Sequence, residues 1–171
     1  MGALLSLASA VCYGVVDFAG GLLSRQAHYT VVTFLGQIGG LLLALAAATL
    51  VPAEAVRRPD VWWGALSGAG SGAAMHFLNR GVARGAMSVA VPISAVTGVA
   101  LSVLCGVLLL GDRPTLSAWL GICLTVPALW IVSGGADPGG ERRSLTDGLL
   151  ASSGVALQYI GLAQAEPASG L

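Results

Sequence analysis

Charged residues are scarce in this sequence. They make up 9% of its 171 residues, and hydrophobic residues make up 56%, whereas roughly 25% of a typical soluble domain is charged. Because a soluble fold needs a hydrated surface, this composition excludes a water-soluble globular protein and predicts a membrane protein. Lysine is missing, and the eight basic residues, all arginine, are balanced by eight acidic ones. A chain with zero net charge lacks the positive field that attracts polyanions, so no nucleic-acid partner is expected.

Motifs for metal, nucleotide and hydrolytic chemistry are also missing. Cys12, Cys105 and Cys123 stand singly in apolar runs, without the close pairing of a zinc site, and we interpret them as small packing residues. The Gly-Lys-Ser/Thr motif of a phosphate-binding loop does not occur in the sequence. The serines have no histidine and aspartate arranged for nucleophilic catalysis. The sequence therefore predicts no enzyme, no metal and no cofactor.

Long hydrophobic runs fill most of the chain. A membrane-spanning helix needs about 20 mostly apolar residues, and only helices or closed barrels satisfy their backbone groups in lipid. Six segments approach this length, and the short connections between them make neighbouring helices antiparallel. The predicted fold is an all-α, polytopic transmembrane bundle with spans at 3–23, 31–51, 62–78, 87–110, 116–132 and 148–165.

Small residues recur at four-residue spacing in three of these spans. In lipid, helices associate by close van der Waals approach, which small residues allow. These rows therefore predict the packing seams of the bundle: Gly36, Gly40, Ala44 and Ala48 in the second span; Gly64, Gly68, Gly72 and His76 in the third; Ser94, Gly98, Ser102 and Gly106 in the fourth.

The sixth span weakly repeats the first. Laid over it, Leu149-Leu150 falls on Leu4-Leu5 and Gln158 falls on Tyr13. The predicted organisation is a five-helix repeat over 1–133, a linker over 134–147 and the first helix of a truncated second repeat over 148–171. Because each repeat has an odd number of spans, the second would be inverted relative to the first, as in many secondary transporters.

Several short motifs resemble the EamA-type domain of the drug/metabolite transporter superfamily. They are Tyr13-Gly14, the run Asn79-Arg80-Gly81-Val82-Ala83, the run Ala90-Val91-Pro92-Ile93, and Gly111-Asp112-Arg113 ahead of Gly121. The family usually has Trp-Gly and Gly-Glu where this chain has Tyr13-Gly14 and Gly111-Asp112, and both are mild changes.

The resemblance implies a ten-helix bundle of two repeats and a cytoplasmic N-terminus. It also implies a permease or exporter that moves a small organic metabolite or drug-like solute across the cell (inner) membrane. Since the chain holds one repeat and one further helix, it is expected to be a fragment or to pair with a second copy as a homodimer.

Asp17 is the one carboxylate within a predicted span. An acid in the membrane is costly, so it is by default a functional residue. Its neighbours at helical spacing are small or polar, so we expect Asp17 to face the bundle interior and to bind a proton or a cationic group of a substrate. The alternative is a structural acid that pairs with an arginine such as Arg25.

Five further polar residues are candidates for contact with a substrate or a proton: Tyr13, Gln37, His76, Asn79 and Gln158. Each also has a structural interpretation. Histidine can relay protons near neutral pH, but at the membrane edge it often bonds a backbone carbonyl. Glutamines in bundles are usually interhelical contacts worth about 1 kcal/mol or less.

Two classes of function remain open from the residues. The first is a secondary transporter with a site near the bilayer midplane, driven by an ion gradient. The second is a small, non-transporting membrane protein that assembles with a partner through its glycine-rich helix faces.

Overall fold

The computed structural model describes residues 2–50, 56–84, 87–111, 113–133 and 138–165. These residues are helical apart from short connections and contain no strand, which confirms the all-α prediction. The helices are α1 (Gly2–Gln26), α2 (Tyr29–Leu50), α3 (Arg58–Ala83), α4 (Met87–Cys105), α5 (Leu116–Ser133) and α6 (Pro138–Gln164).

Two helices, α3 and α6, extend furthest beyond the predicted spans. The start of α3 is fixed by the Arg57 backbone N–H, which donates to Asp60 Oδ2 at 3.0 Å, as a first-turn acid commonly does. This helix then continues to Ala83 and includes the Asn79–Ala83 run, which lies beyond the predicted span 62–78. Likewise α6 begins at Pro138, inside the predicted linker, because proline fits the first turn of a helix.

The end of α4 departs from regular α-helix. Gly106–Leu110 form a π-helical turn, and the Gly111 N–H donates to the Gly106 carbonyl. Gly111 has φ +74°, the left-handed conformation in which glycine avoids a steric penalty. The motif Gly111-Asp112-Arg113 thus begins with the residue that stops the helix.

The centre of the bundle is α6, which packs most extensively against α3 and α4. A Cβ placed on Gly154 would lie 2.6 Å from the Ala74 nitrogen and 2.7 Å from the Gly70 carbonyl oxygen. A Cβ on Gly161 would lie 2.8 Å from the Trp63 carbonyl oxygen. The backbones of α3 and α6 are therefore in direct contact, a proximity that residues without side chains permit.

Of the three predicted seams, the structure uses the one on α4. Ser94, Gly98 and Gly106 are buried there, and a Cβ on Gly98 would meet Val155 at 3.0 Å. The predictions for α2 and α3 are wrong: a Cβ on Gly36, Gly40, Gly64, Gly68 or Gly72 would meet nothing within 4 Å. The seam of α3 lies on its neighbouring face, at Ser67, Gly70 and Ala74, because packing against α6 decides which small residues are covered.

The outer helices carry the most apolar surface. Leu7–Gln26 and Tyr29–Leu50 are long and apolar enough to cross a bilayer, and Val96–Leu108 is a shorter apolar stretch. In the two long segments most large hydrophobic side chains are exposed, including Phe34 at 63% and Leu43 at 74%. Apolar surface of this extent fits contact with lipid.

Candidate functional site

Asn79 is the junction between three helices. It lies four residues from the end of α3 and is 2% exposed. Its Nδ2 donates to Thr33 Oγ1 of α2 at 3.0 Å. On its other side, its Oδ1 would be 3.3 Å from a Cβ placed on Gly20 of α1. One amide group therefore contacts both helices of the α1–α2 hairpin.

The orientation of this amide is set by a hydrogen-bond relay. Thr33 Oγ1 donates its single hydrogen to the Tyr29 carbonyl at 2.9 Å, so toward Asn79 it can only accept. The Asn79 side chain must then present its NH₂ group to Thr33 and its oxygen to Gly20. No described residue donates a hydrogen bond to that oxygen.

The inward face of α1 carries Asp17, Gly20, Gly21 and Ser24, which are its half-buried and buried residues. This is a stripe at helical spacing. Asp17 is half-buried there, as the sequence predicted for its direction, and forms no ion pair or hydrogen bond with any described residue. In particular it does not pair with Arg25, which is exposed at the end of α1.

Ser24 continues this face toward the end of α1. It is 5% exposed, and its Oγ has no hydrogen-bond partner among the described residues. A buried hydroxyl without a partner is uncommon, because desolvation of the group is then uncompensated. Asp17, the Asn79 oxygen above Gly20, and Ser24 thus form a row of unpaired oxygens about 10 Å long at 1.5 Å per residue.

Two more predicted residues lie close to this row. His76 is half-buried one turn before Asn79 on α3, and its ring meets the Tyr29 ring edge-on with centroids 5.3 Å apart. Tyr29 in turn stacks on His28 at 4.6 Å. Gln37 is half-buried one turn after Thr33 on α2. The structure therefore places Asp17, Gln37, His76 and Asn79 on faces that converge between α1, α2 and α3.

The other two predicted residues lie elsewhere. Tyr13 is 55% exposed, one turn beyond the packed part of α1. Gln158 is half-buried at the crossing of α3 and α6, where its backbone nitrogen faces Gly70. Neither side chain forms a hydrogen bond with Asn79 or Thr33 in the described part of the chain.

A separate ionic cluster joins α3 to the first half of α6. Asp147 is 1% exposed and accepts hydrogen bonds from Arg80 Nε at 2.9 Å and from Arg84 at 3.2 Å. The Arg80 guanidinium also lies over the Phe77 ring, 4.8 Å from its centroid. A buried carboxylate is tolerated when charged donors surround it. These two arginines therefore form ion pairs with α6 and not with the inward face of α1.

Sequence reasoning missed Ser24, Thr33 and Asp147. Ser24 could have been found, because it follows Asp17 at i+7 and so shares its face. Thr33 likewise precedes the predicted Gln37 by one turn. Asp147 could not have been placed, since its partners come from a distant helix.

Comparison with protein families identifies a match over most of the chain. The model of the EamA-like transporter family matches residues 1–134, which include α1 to α5. Comparison with curated proteins finds no match, and neither does comparison with solved structures.

Proposed function

Because the chain belongs to the EamA-like transporter family, we propose that it is a secondary transporter of a small organic metabolite or drug-like solute. It acts in the cell (inner) membrane as a multi-pass protein, with the six predicted spans inserted. An ion gradient drives it, and no bound cofactor takes part.

The observation that carries this proposal is the unpaired carboxylate of Asp17. An ionisable group within a spanning helix is costly, and it is usually retained for a proton or ion pathway. A purely structural acid would have an arginine or several donors around it, as Asp147 does. Asp17 has neither among the described residues, and it faces the interior of the bundle.

The domain organisation in this proposal is a five-helix repeat followed by the first helix of a second, inverted repeat. The packing of α6 against α3 and α4 supports it, because inverted-repeat transporters build their sites where the two repeats meet. A second copy or a second repeat completes the transport pathway in this arrangement.

The test is uptake of radiolabelled amines by proteoliposomes under an imposed pH gradient. We expect gradient-dependent uptake by the wild-type chain and its loss in Asp17→Asn at equal protein content. The matched control is Ser9→Ala, a change at an exposed position of the same helix, which should keep uptake within about twofold because surface changes are usually neutral. Wild-type uptake by Asp17→Asn would remove Asp17 from the mechanism. No uptake by any form would favour the non-transporting alternative.

A further inference from the structure

The relay that orients Asn79 also has a consequence for the kind of ligand the α1–α3 interface can hold. We propose that this interface is a subsite for a protonated amine, a cationic group that bears N–H donors. Thr33 is the positioning residue, because it orients the Asn79 amide so that its oxygen faces α1. This inference rests on the proposed function, since it names the solute class that the transporter would carry.

The first step is the fixed orientation of one acceptor. The Thr33 hydrogen is used on the Tyr29 carbonyl, so the Asn79 NH₂ group must face Thr33. A reversed amide would bring two oxygens together with no hydrogen between them, as long as Thr33 keeps its bond to Tyr29. The Asn79 side chain is 2% exposed, and this burial restricts it to the pairing that satisfies its donors.

The second step is the helix surface that this acceptor faces. Asn79 Oδ1 lies 3.3 Å from the position of a Gly20 Cβ, so it is presented to bare helix backbone. The backbone N–H of Gly20 is used within α1. The oxygen therefore keeps its lone pairs available to a ligand beside this face.

The third step is the chemistry of the neighbours along α1. Asp17 is three residues before Gly20 and Ser24 is four residues after it, so both share its face. The Asp17 carboxylate accepts hydrogen bonds only, and the buried Ser24 hydroxyl has no partner among the described residues. Asp17 and the Asn79 oxygen above Gly20 thus offer one negative charge and one neutral acceptor about one helical turn apart, which complements an ammonium group with several N–H donors.

The fourth step concerns the nearby positive charges. Arg80 is on the same helix as Asn79, and Arg84 directly follows that helix, but both bind Asp147 of α6. Arg25 is exposed at the end of α1. None of these three arginines bonds the row of oxygens, so an anion placed there would meet the Asp17 charge without compensation from them.

The test is equilibrium binding to the purified chain in detergent, measured by saturation-transfer NMR titration. Three probes share one aromatic ring: phenethylamine, which is protonated at neutral pH; phenethyltrimethylammonium, which has the charge without N–H donors; and hydrocinnamate, the anion. We expect phenethylamine to bind about tenfold tighter than either of the others, since an unmade hydrogen bond to a charged group costs on this order.

Variants of two threonines on α2 then test the positioning role. Thr33→Val removes the relay and should weaken phenethylamine about fivefold, because the Asn79 amide can then turn its NH₂ group toward α1. Thr33→Ser restores the hydroxyl and should restore affinity. Thr49→Val is the matched control, since Thr49 is exposed and bonds only its own helix at Ala46.

The proposal is overturned if hydrocinnamate binds as tightly as phenethylamine, if no probe binds, or if Thr33→Val behaves as Thr49→Val does. Because binding is measured without a membrane gradient, its outcome is separable from transport. Selective amine binding without flux would refute the transporter alone, whereas flux of anions in proteoliposomes would refute the amine subsite alone.

Discussion

The glycine contact between α3 and α6 predicts that two glycines two positions apart on α3 respond oppositely to alanine. A Cβ on Gly70 would lie 2.6 Å from the Gln158 nitrogen and 2.7 Å from the Gly154 oxygen, both backbone atoms. Ordinary contacts begin at 3.4 Å, so the helices must separate by roughly 0.8 Å. A gap of this size forfeits about a quarter to a half of each dispersion contact along the seam. A Cβ on Gly68 would meet nothing within 4 Å.

We therefore expect Gly70→Ala to lower the free energy of unfolding by about 2 kcal/mol, within the usual cost of overpacking. For a chain of this length that corresponds to a fall in Tm of roughly 4–8 °C. Gly68→Ala should leave Tm unchanged or raise it slightly, because alanine favours helix. Thermal unfolding in detergent, followed by circular dichroism, measures both. Equal Tm values for the two variants would refute direct backbone contact between α3 and α6.

Three further outcomes follow from the ionic cluster and from the end of α4. Arg80→Gln should destabilise the fold by about 2 kcal/mol and Arg84→Gln by less than about 1 kcal/mol, because the Arg80 side chain is 22% exposed and that of Arg84 is 46% exposed. The Tm of Arg80→Gln should therefore be the lower of the two, and the reverse order would contradict this. Raising salt to molar concentration should narrow that difference only partly, because Asp147 is 1% exposed and buried charges are poorly screened; a complete loss of the difference would argue against burial. Gly111→Ala should lower the free energy of unfolding by about 1 kcal/mol, because a residue with a Cβ is strained at the φ of +74° that Gly111 adopts. An unchanged Tm would show that the backbone has a different conformation there.

Composition and hydropathy were sufficient to predict the all-α class, and the short motifs were sufficient to predict the family. Both signals are local in sequence. A helix that crosses lipid must be long and apolar, so it can be recognised from a single run of residues. Helix ends were less predictable. The boundary at Pro138 lies outside the apolar run, so hydropathy could not find it. Asn79 is polar and therefore falls outside the predicted span 62–78, although its buried hydrogen bond with Thr33 lies within α3.

The seams show why contacts were harder to predict than elements. On α3 the residues Gly64, Gly68 and Gly72 form a more regular pattern than Ser67, Gly70 and Ala74, yet the latter are covered by α6. A single helix presents several small-residue faces, and only its partner decides which is used.

The candidate site was also predictable only where it depends on a single helix. The direction of Asp17 followed from helical periodicity, whereas the relay from Tyr29 through Thr33 to Asn79 connects helices far apart in sequence. The weak internal repeat aligns Gln158 with Tyr13, and the structure has Gln158 at the α3–α6 crossing and Tyr13 exposed on α1.

Counterflow in proteoliposomes tests the central claim of carrier-type transport most directly. Vesicles loaded with unlabelled phenethylamine are diluted into a trace of the labelled compound. A carrier with a site accessible alternately from each side predicts a transient accumulation of label above its equilibrium level. Label that enters no faster, and rises no higher, than in protein-free vesicles would contradict the account.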